Sequence, residues 1–185
     1  MLETVIDRFA KQGFRRFWLC VHYKAELIEG YFGNGSARGL KIRYTHETEP
    51  LGTAGALKLL PVFEVPFIVC NADILADIDY GALMEAHARS NADATACASL
   101  YQHQVPFGVM EVDETSRLTG LKEKPIENFQ VLAGVYVLDP KAMESLPEGR
   151  CDMPDLLGKI SVNVFEIEGP WMDIGRFEDY SRAQS

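Results

Sequence analysis

Residues 40–70 read LKIRYTHETEPLGTAGALKLLPVFEVPFIVC, and the architecture turns on them. Leu40, Ile42 and Tyr44 alternate with Lys41, Arg43 and Thr45, the period of a strand. Residues 53–60 return to helical spacing and stop at Pro61, which cannot continue a helix. Pro66-Phe67-Ile68-Val69-Cys70 is continuously apolar, as in a strand covered on both faces. A strand, a helix and a buried strand in that order predict parallel neighbours joined by a helical crossover.

The alternation extends both ways from this stretch. Upstream, Leu2, Val5, Ile6 and Phe9 recur at helical spacing until Gly13, and residues 14–21 form a strand dense in aromatic and branched side chains. Residues 22–32 are helical again, up to the break at Gly33-Asn34-Gly35. Downstream, residues 79–90 predict a helix and residues 94–100 a strand. From residue 109 the connections shorten, and residues 109–112, 118–121 and 135–138 read as hairpin strands added to the sheet's edge. Residues 152–157 open a helix, 162–167 a last strand and 177–183 a last helix. The expectation is an α/β domain over residues 1–185, its mostly parallel sheet covered on both faces.

A chain of 185 residues with 47% hydrophobic and 24% charged residues can bury one core, and its size fits a single domain. Its 18 Lys and Arg against 27 Asp and Glu give a net charge of −9, and no basic run marks a nucleic-acid track. No apolar stretch approaches the roughly 20 residues that span a bilayer, and Met1-Leu2-Glu3-Thr4 reads as helix rather than as a secretion signal. The expected compartment is the cytoplasm. Cys20, Cys70, Cys97 and Cys151 form no C-x-x-C pair and read as buried reduced thiols. The four histidines, His22, His46, His87 and His103, make no zinc-spaced group and read as solvated or capping residues.

Several segments carry chemistry. In residues 49–57 two glycines at a loop-to-helix junction let a flat ligand approach the backbone. Thr53 can cap the helix, whose free N–H groups would attract an anion. The alternative is a tight turn packed on the sheet. Asn71-Ala72-Asp73 follows the buried strand directly, where open parallel sheets gather ligands, so Asp73 is placed for a hard cation or a ribose. Asp173 stands between Trp171 and Ile174, where burial is costly without a partner or a cation. Its bland role is to cap a helix starting near Arg176. Glu123-Lys124-Pro125 ends a strand with a carboxylate for hydroxyls beside an ammonium for phosphate, or else with an exposed ion pair. Phe107-Gly108 and Ala133-Gly134 are further points of close backbone approach.

Taken in order, these segments resemble the sugar-1-phosphate nucleotidylyltransferases of the nucleotide-diphospho-sugar transferase superfamily, over essentially the whole chain. Residues 49–57 are similar to the family's base-binding E-x-x-P-L-G-T-A-G, Asn71-Ala72-Asp73 to its metal-binding strand end, and Val105-Pro106-Phe107-Gly108 to its sugar-side turn. Glu123-Lys124-Pro125 matches E-K-P, and Trp171-Met172-Asp173-Ile174-Gly175 the second metal aspartate. The wording P-L-G-T-A-G is closest to mannose-1-phosphate guanylyltransferase-like members, which implies GTP.

The resemblance implies a Rossmann-like three-layer sandwich with a mixed sheet. It implies a nucleotide site at Glu49, Leu51, Gly52, Thr53 and Asn71, a sugar site at Gly108, Glu123, Ala133 and Gly134, and catalysis by Asp73, Lys124 and Asp173. Mg²⁺ would be held by Asp73 and Asp173. Two departures stand out. The family opens with a strand, a G-x-G-T-R-x-x-P loop and a P-K-P segment, whereas Met1-Leu2-Glu3 reads as the helix after that loop, so an N-terminally truncated domain is expected. Its N-A-G turn is Leu132-Ala133-Gly134 here, without the amide. The implied partners are a nucleoside triphosphate and a sugar 1-phosphate, with neither nucleic acid nor membrane, and homo-oligomerisation stays open. A nucleotide-sugar-binding regulatory subunit, or an inactive fragment lacking the triphosphate loop, is the alternative to an enzyme.

Overall fold

A computed structural model describes residues 1–174. The helix expected at 177–183, with Gly175 and Arg176, lies outside the described residues. The chain starts with α1 (Leu2–Lys11), which buries Val5, Ile6 and Phe9, a single stripe at helical spacing. Next come β1 (Arg16–Val21), α2 (Ala25–Phe32) and β2 (Lys41–His46), with β1 and β2 parallel and paired from Arg16↔Lys41 to Val21↔His46. α2 begins three residues later than its periodicity suggests, because Lys24 takes a left-handed conformation, φ 56°.

α3 (Gly52–Gly55) continues as a 3₁₀ turn, Ala56–Leu59, and leads into β3 (Phe67–Cys70), β4 (Ile74–Ala76) and α4 (Tyr80–Ser90). The Asp79 carboxylate caps α4 by accepting the Ala82 N–H at 2.9 Å. β5 (Ala94–Gln104), β6 (Gly108–Val112), β7 (Leu118–Glu123) and β8 (Ile126–Leu138) follow, then α5 (Met153–Leu157), β9 (Val162–Glu166) and β10 (Trp171–Asp173).

The larger sheet has the order β3-β8-β5-β9. β3, β5 and β9 run one way, and β8 runs against them. The sheet is thus mixed, with one reversed strand. The expected edge hairpin needs correction here: β6 and β7 do form a hairpin, but β8 enters the middle of the sheet, between β3 and β5. Its run from Ala133 to Leu138 is apolar on both faces and every side chain of it is buried, which suits a central position and not an edge.

Alternate β8 residues serve opposite layers. Ala133, Val135 and Val137 pack with Val5 and Phe9 of α1 and Tyr80 and Leu83 of α4. Tyr136 and Leu138 pack on the other face with Leu57, Met153 and Leu156, from the α3–α5 side. Helix, sheet and helix make the three layers. A third cluster, Ile6, Phe32, Leu40 and Ile42, joins α1 to the β1–β2 pair.

All four cysteines are free thiols. Cys97 and Cys151 are buried and Cys70 is half-buried, but Cys20 is exposed, contrary to the expectation, because β1 lacks cover along one side. His87 departs from the expected solvated role. It is buried and bonded through Nδ1 to Thr95 Oγ1 at 3.0 Å.

Candidate functional site

Two short strands absent from the sequence reading assemble the core of the site. β4 and β10 pair antiparallel, with Asp173 opposite Ile74, and the Ile174 N–H donates to the Asp73 carbonyl at 3.1 Å. Residues 100 apart in the chain are thereby neighbours, with Asp73 in the turn ahead of β4 and Asp173 at the end of β10. Asp173 ends a strand, and the helix that the alternative would have it cap lies outside the described residues.

The turn is fixed from below. The Asn71 N–H donates to the Gly134 carbonyl at 2.9 Å, and the Trp171 Nε1–H to the Ala133 carbonyl at 2.9 Å. Gly134 has φ +73°, and a Cβ there would lie 2.7 Å from Ile74 Cγ1 and 3.1 Å from Asn71 Nδ2. Only glycine lets β8 pass this close beneath the turn. Asn71, Asp73, Ala133, Gly134 and Asp173 thus form one group. Burial and the nearby Asp73 charge push the Cys70 thiol up to about 12. It stays protonated at neutral pH.

Among the described residues no group of three or more His, Cys, Asp and Glu side chains forms a metal cage. Two carboxylates alone, both hard oxygen donors, fit Mg²⁺, which is commonly held by one or two carboxylates together with water and substrate phosphates. They do not fit a structural zinc site.

The LGTAG stretch behaves differently from its expected anion-binding role. The Thr53 N–H donates to Asp152 Oδ1 at 3.2 Å, and the Ala54 and Gly55 N–H groups both donate to the Cys151 carbonyl, at 2.9 and 3.0 Å. In return Thr53 Oγ1 accepts the Met153 N–H at 2.7 Å, and the Cys151 N–H donates to the Leu51 carbonyl at 2.8 Å. These N–H groups are therefore not free for an anion, and Thr53 caps α5 instead of its own helix. The glycines admit the chain itself. At Gly52, φ +79°, a Cβ would stand 2.6 Å from both Asp152 Oδ1 and the Cys151 carbonyl oxygen. At Gly55 it would stand 2.8 Å from the Gly149 carbonyl oxygen.

Gly52, Thr53 and Asn71 line a cavity of about 880 Å³ that also runs along β1 and β3. Counting back from Pro50, the acidic position of the E-x-x-P motif falls on Glu47 and not on Glu49. Glu47 lines this cavity, and its carboxylate accepts the Leu51 N–H at 2.9 Å. Glu49 is exposed and Leu51 half-buried, both outside the lining. Glu47 was legible from that spacing. Asp152, which clamps α3, was not, because nothing in its own neighbourhood announces a partner 99 positions away.

Gly108, Glu123 and Lys124 form a second group. Gly108 pairs with Glu123 across β6 and β7, and the Lys124 N–H donates to the Phe107 carbonyl at 3.2 Å. Lys124, φ 45°, and Pro125 turn the chain sharply from β7 into β8. This group sits beyond the outer end of the β5–β8 ladder, at Gln104↔Ile126, whereas Ala133 and Gly134 sit at the ladder's irregularity between the Leu132 and Tyr136 pairings. The outer half of β8 separates them.

The sequence model of one family, described as nucleotidyl transferase, matches residues 1–185. A mannose-1-phosphate guanyltransferase of Yarrowia lipolytica is 32% identical over 193 residues, covering 97% of this chain and 53% of the relative. A mannose-1-phosphate guanylyltransferase of Mycobacterium tuberculosis is 30% identical over 196 residues, covering 100% of this chain and 55% of the relative. The chain thus spans about half the length of the curated relatives it matches. Among solved structures, HddC from Yersinia pseudotuberculosis superposes with a TM-score of 0.76 at 26% identity, over 98% of this chain and 83% of that one. Its complex with GMP-PN superposes with a TM-score of 0.74 at 25% identity, with the same coverage of both chains.

Proposed function

The chain belongs to the nucleotidyl transferase family, and from that premise we propose that it acts in nucleotidylyl transfer from a nucleoside triphosphate, GTP preferred, to a sugar 1-phosphate, giving a nucleoside-diphosphate sugar and pyrophosphate. Mannose 1-phosphate is the acceptor to test first, since two relatives carry it in their names. The observation that carries the reading is the adjacency of Asp73 and Asp173 at the strand ends.

Asp73 and Asp173 are the residues that hold Mg²⁺, which when bound supplies charge neutralisation at the phosphates. The rest is the work of this chain's own groups. Gly52, Thr53 and Asn71, with Glu47 at the cavity wall, border the nucleotide. Ala133 and Gly134 border the sugar, while Gly108, Glu123 and Lys124 lie apart from them beyond the outer end of β8, so that the part of Glu123 at the sugar and of the Lys124 ammonium at its phosphate rests on the order of the motifs. A phosphate monoester has a second pKa of about 6, so the acceptor is largely dianionic at neutral pH and needs no general base. One of its oxygens attacks the α-phosphorus in line and pyrophosphate leaves, so the protein's part is positioning and charge stabilisation. At net charge −9 the overall field repels both substrates, and local cations must outweigh it. The compartment this reading implies is the cytoplasm.

Pyrophosphate release from GTP and mannose 1-phosphate with Mg²⁺ tests the reading, with wild type compared against Asp73→Ala. Sugar-dependent release that falls to background in the variant, with an unchanged circular dichroism spectrum, is the expected result. Release that survives the substitution, or that needs no sugar phosphate, contradicts it.

A further inference from the structure

β6 and β7 pair with each other and, among the described residues, with no further strand. A Cβ added at Gly108 would meet Glu123 Oε2 at 3.1 Å and Leu121 Cδ1 at 3.9 Å, and one added at Gly120 would meet Glu111 Oε2 at 2.6 Å. These contacts identify the hairpin's two faces. Gly108, Met110, Val112, Leu121 and Glu123 share one face, and Val109, Glu111 and Lys122 the other, where Lys122 Nζ lies 2.6 Å from Glu111 Oε1. The register shift, which leaves Thr119 unpaired, sets Leu118 opposite Val112 and so adds it to the apolar face.

Apolar residues on one face and charges on the other are the pattern of a sheet with one covered side, yet here the apolar side is open. Met110, Val112, Leu118 and Leu121 are 60–68% exposed, and no side chain from residue 101 to residue 130 is buried. A two-stranded hairpin is marginal in water without cover on its apolar face. Three properties make a second copy of this chain the cover. With Phe107 and Ile126 at the hairpin's base, the four apolar side chains expose about 100 Å² each, about 600 Å² per copy and about 1,200 Å² for a pair, the lower end of stable interfaces. Residues 108–124 carry three basic and four acidic side chains, so only −1 of the chain's −9 lies here, and identical acidic chains meet at this surface with little repulsion. Reversed upon itself, the hairpin sets its tip against its base, which brings Arg117 of one copy to Glu123 of the other. Neither residue is ion-paired among the described residues, and about 20 Å of strand keeps them apart within one copy.

We propose that two copies of this chain pack their β6–β7 hairpins face to face about a two-fold axis, tip against base, burying Met110, Val112, Leu118 and Leu121 of both and pairing Arg117 of each with Glu123 of the other. The tip is built to dock without rearrangement, since the Asp113 carboxylate accepts the N–H groups of Thr115 at 2.8 Å and Arg117 at 3.0 Å and so fixes the turn.

Sedimentation equilibrium of the 185-residue protein between about 1 and 100 μM tests the proposal by mass alone, so its outcome does not depend on any catalytic activity. Wild type should approach twice 20.7 kDa within that range. Leu121→Lys, at an exposed position, should leave a monomer with an unchanged circular dichroism spectrum, whereas Tyr23→Lys, at a residue 77% exposed and outside the hairpin, should leave the dimer intact. Arg117→Glu and Glu123→Arg should each raise the dissociation constant at least about tenfold, and the two together should restore it to within about threefold of wild type. Three results would overturn the proposal. Wild type stays monomeric throughout; the dimer survives Leu121→Lys, so that another surface forms it; or the combined charge reversal associates no better than either single variant, so that tip and base do not meet.

Discussion

Replacing Gly52 by alanine tests whether the LGTAG stretch is shaped by the chain or by a ligand. Two costs add at this position. A non-glycine residue at φ +79° is strained by about 1–2 kcal/mol. The new Cβ would also lie 2.6 Å from two oxygens, at Asp152 and Cys151, so α3 must move off the segment that holds it. That movement breaks the N–H bonds from Thr53, Ala54 and Gly55 to Asp152 and Cys151, each contributing about 1 kcal/mol. The expected loss is about 4–5 kcal/mol, a large part of the roughly 5–15 kcal/mol typical of a domain. Gly39→Ala is the matched control, because Gly39 has φ +67° and nothing within 4 Å of its would-be Cβ, leaving strain alone. Urea melts of the two variants, without nucleotide, give the comparison. If Gly52→Ala costs no more than Gly39→Ala, the clamp of Asp152 and Cys151 on α3 does not contribute to stability and the reasoning fails.

Two further outcomes are expected. Lys124→Gln should raise KM for the sugar phosphate about 10- to 100-fold, the loss of one charge-assisted hydrogen bond, with KM for GTP unchanged. Steady-state kinetics with each substrate varied will show it, and an unchanged sugar-phosphate KM would remove Lys124 from the site. Burial holds the His87 imidazole below its ordinary value of 6.5, so the unfolded chain takes up the proton first. The stability this group contributes is complete above 6.5 and is lost as pH falls through the lowered folded value. His87→Gln should flatten that part of the stability curve in urea melts at successive pH values, and an unaltered slope below pH 6.5 would contradict it.

The parts legible in the sequence are those whose signal is local. α1, α4, β2 and β3 follow from periodicity, because each buries a face or a whole run that its own side chains define. β4 and β10 escaped, since three residues are too few to show a period and Trp171-Met172-Asp173 reads as a site instead of a strand. The outer half of β8, from Ile126 to Gln130, also escaped, because its side chains are exposed and Glu127, Asn128 and Gln130 break the apolar run. For the site, the order of motifs identified the loops and the two acidic residues, but not the contacts between them. Gly52 and Gly55 announced a close approach without saying what approaches, and the answer lies near residue 150, remote in the chain. The partnership of Asp73 with Asp173 likewise depends on a strand pairing that neither local sequence encodes.

Manganese binding, followed by the electron paramagnetic resonance of the free ion in the presence of GTP, probes that partnership directly in wild type, Asp73→Asn, Asp173→Asn and the double variant. If both residues hold one ion, each single substitution removes most of the protein-dependent binding, and the double variant is no weaker than either single one. Single losses that are small and simply add in the double variant would mean two separate carboxylates, and no shared metal centre.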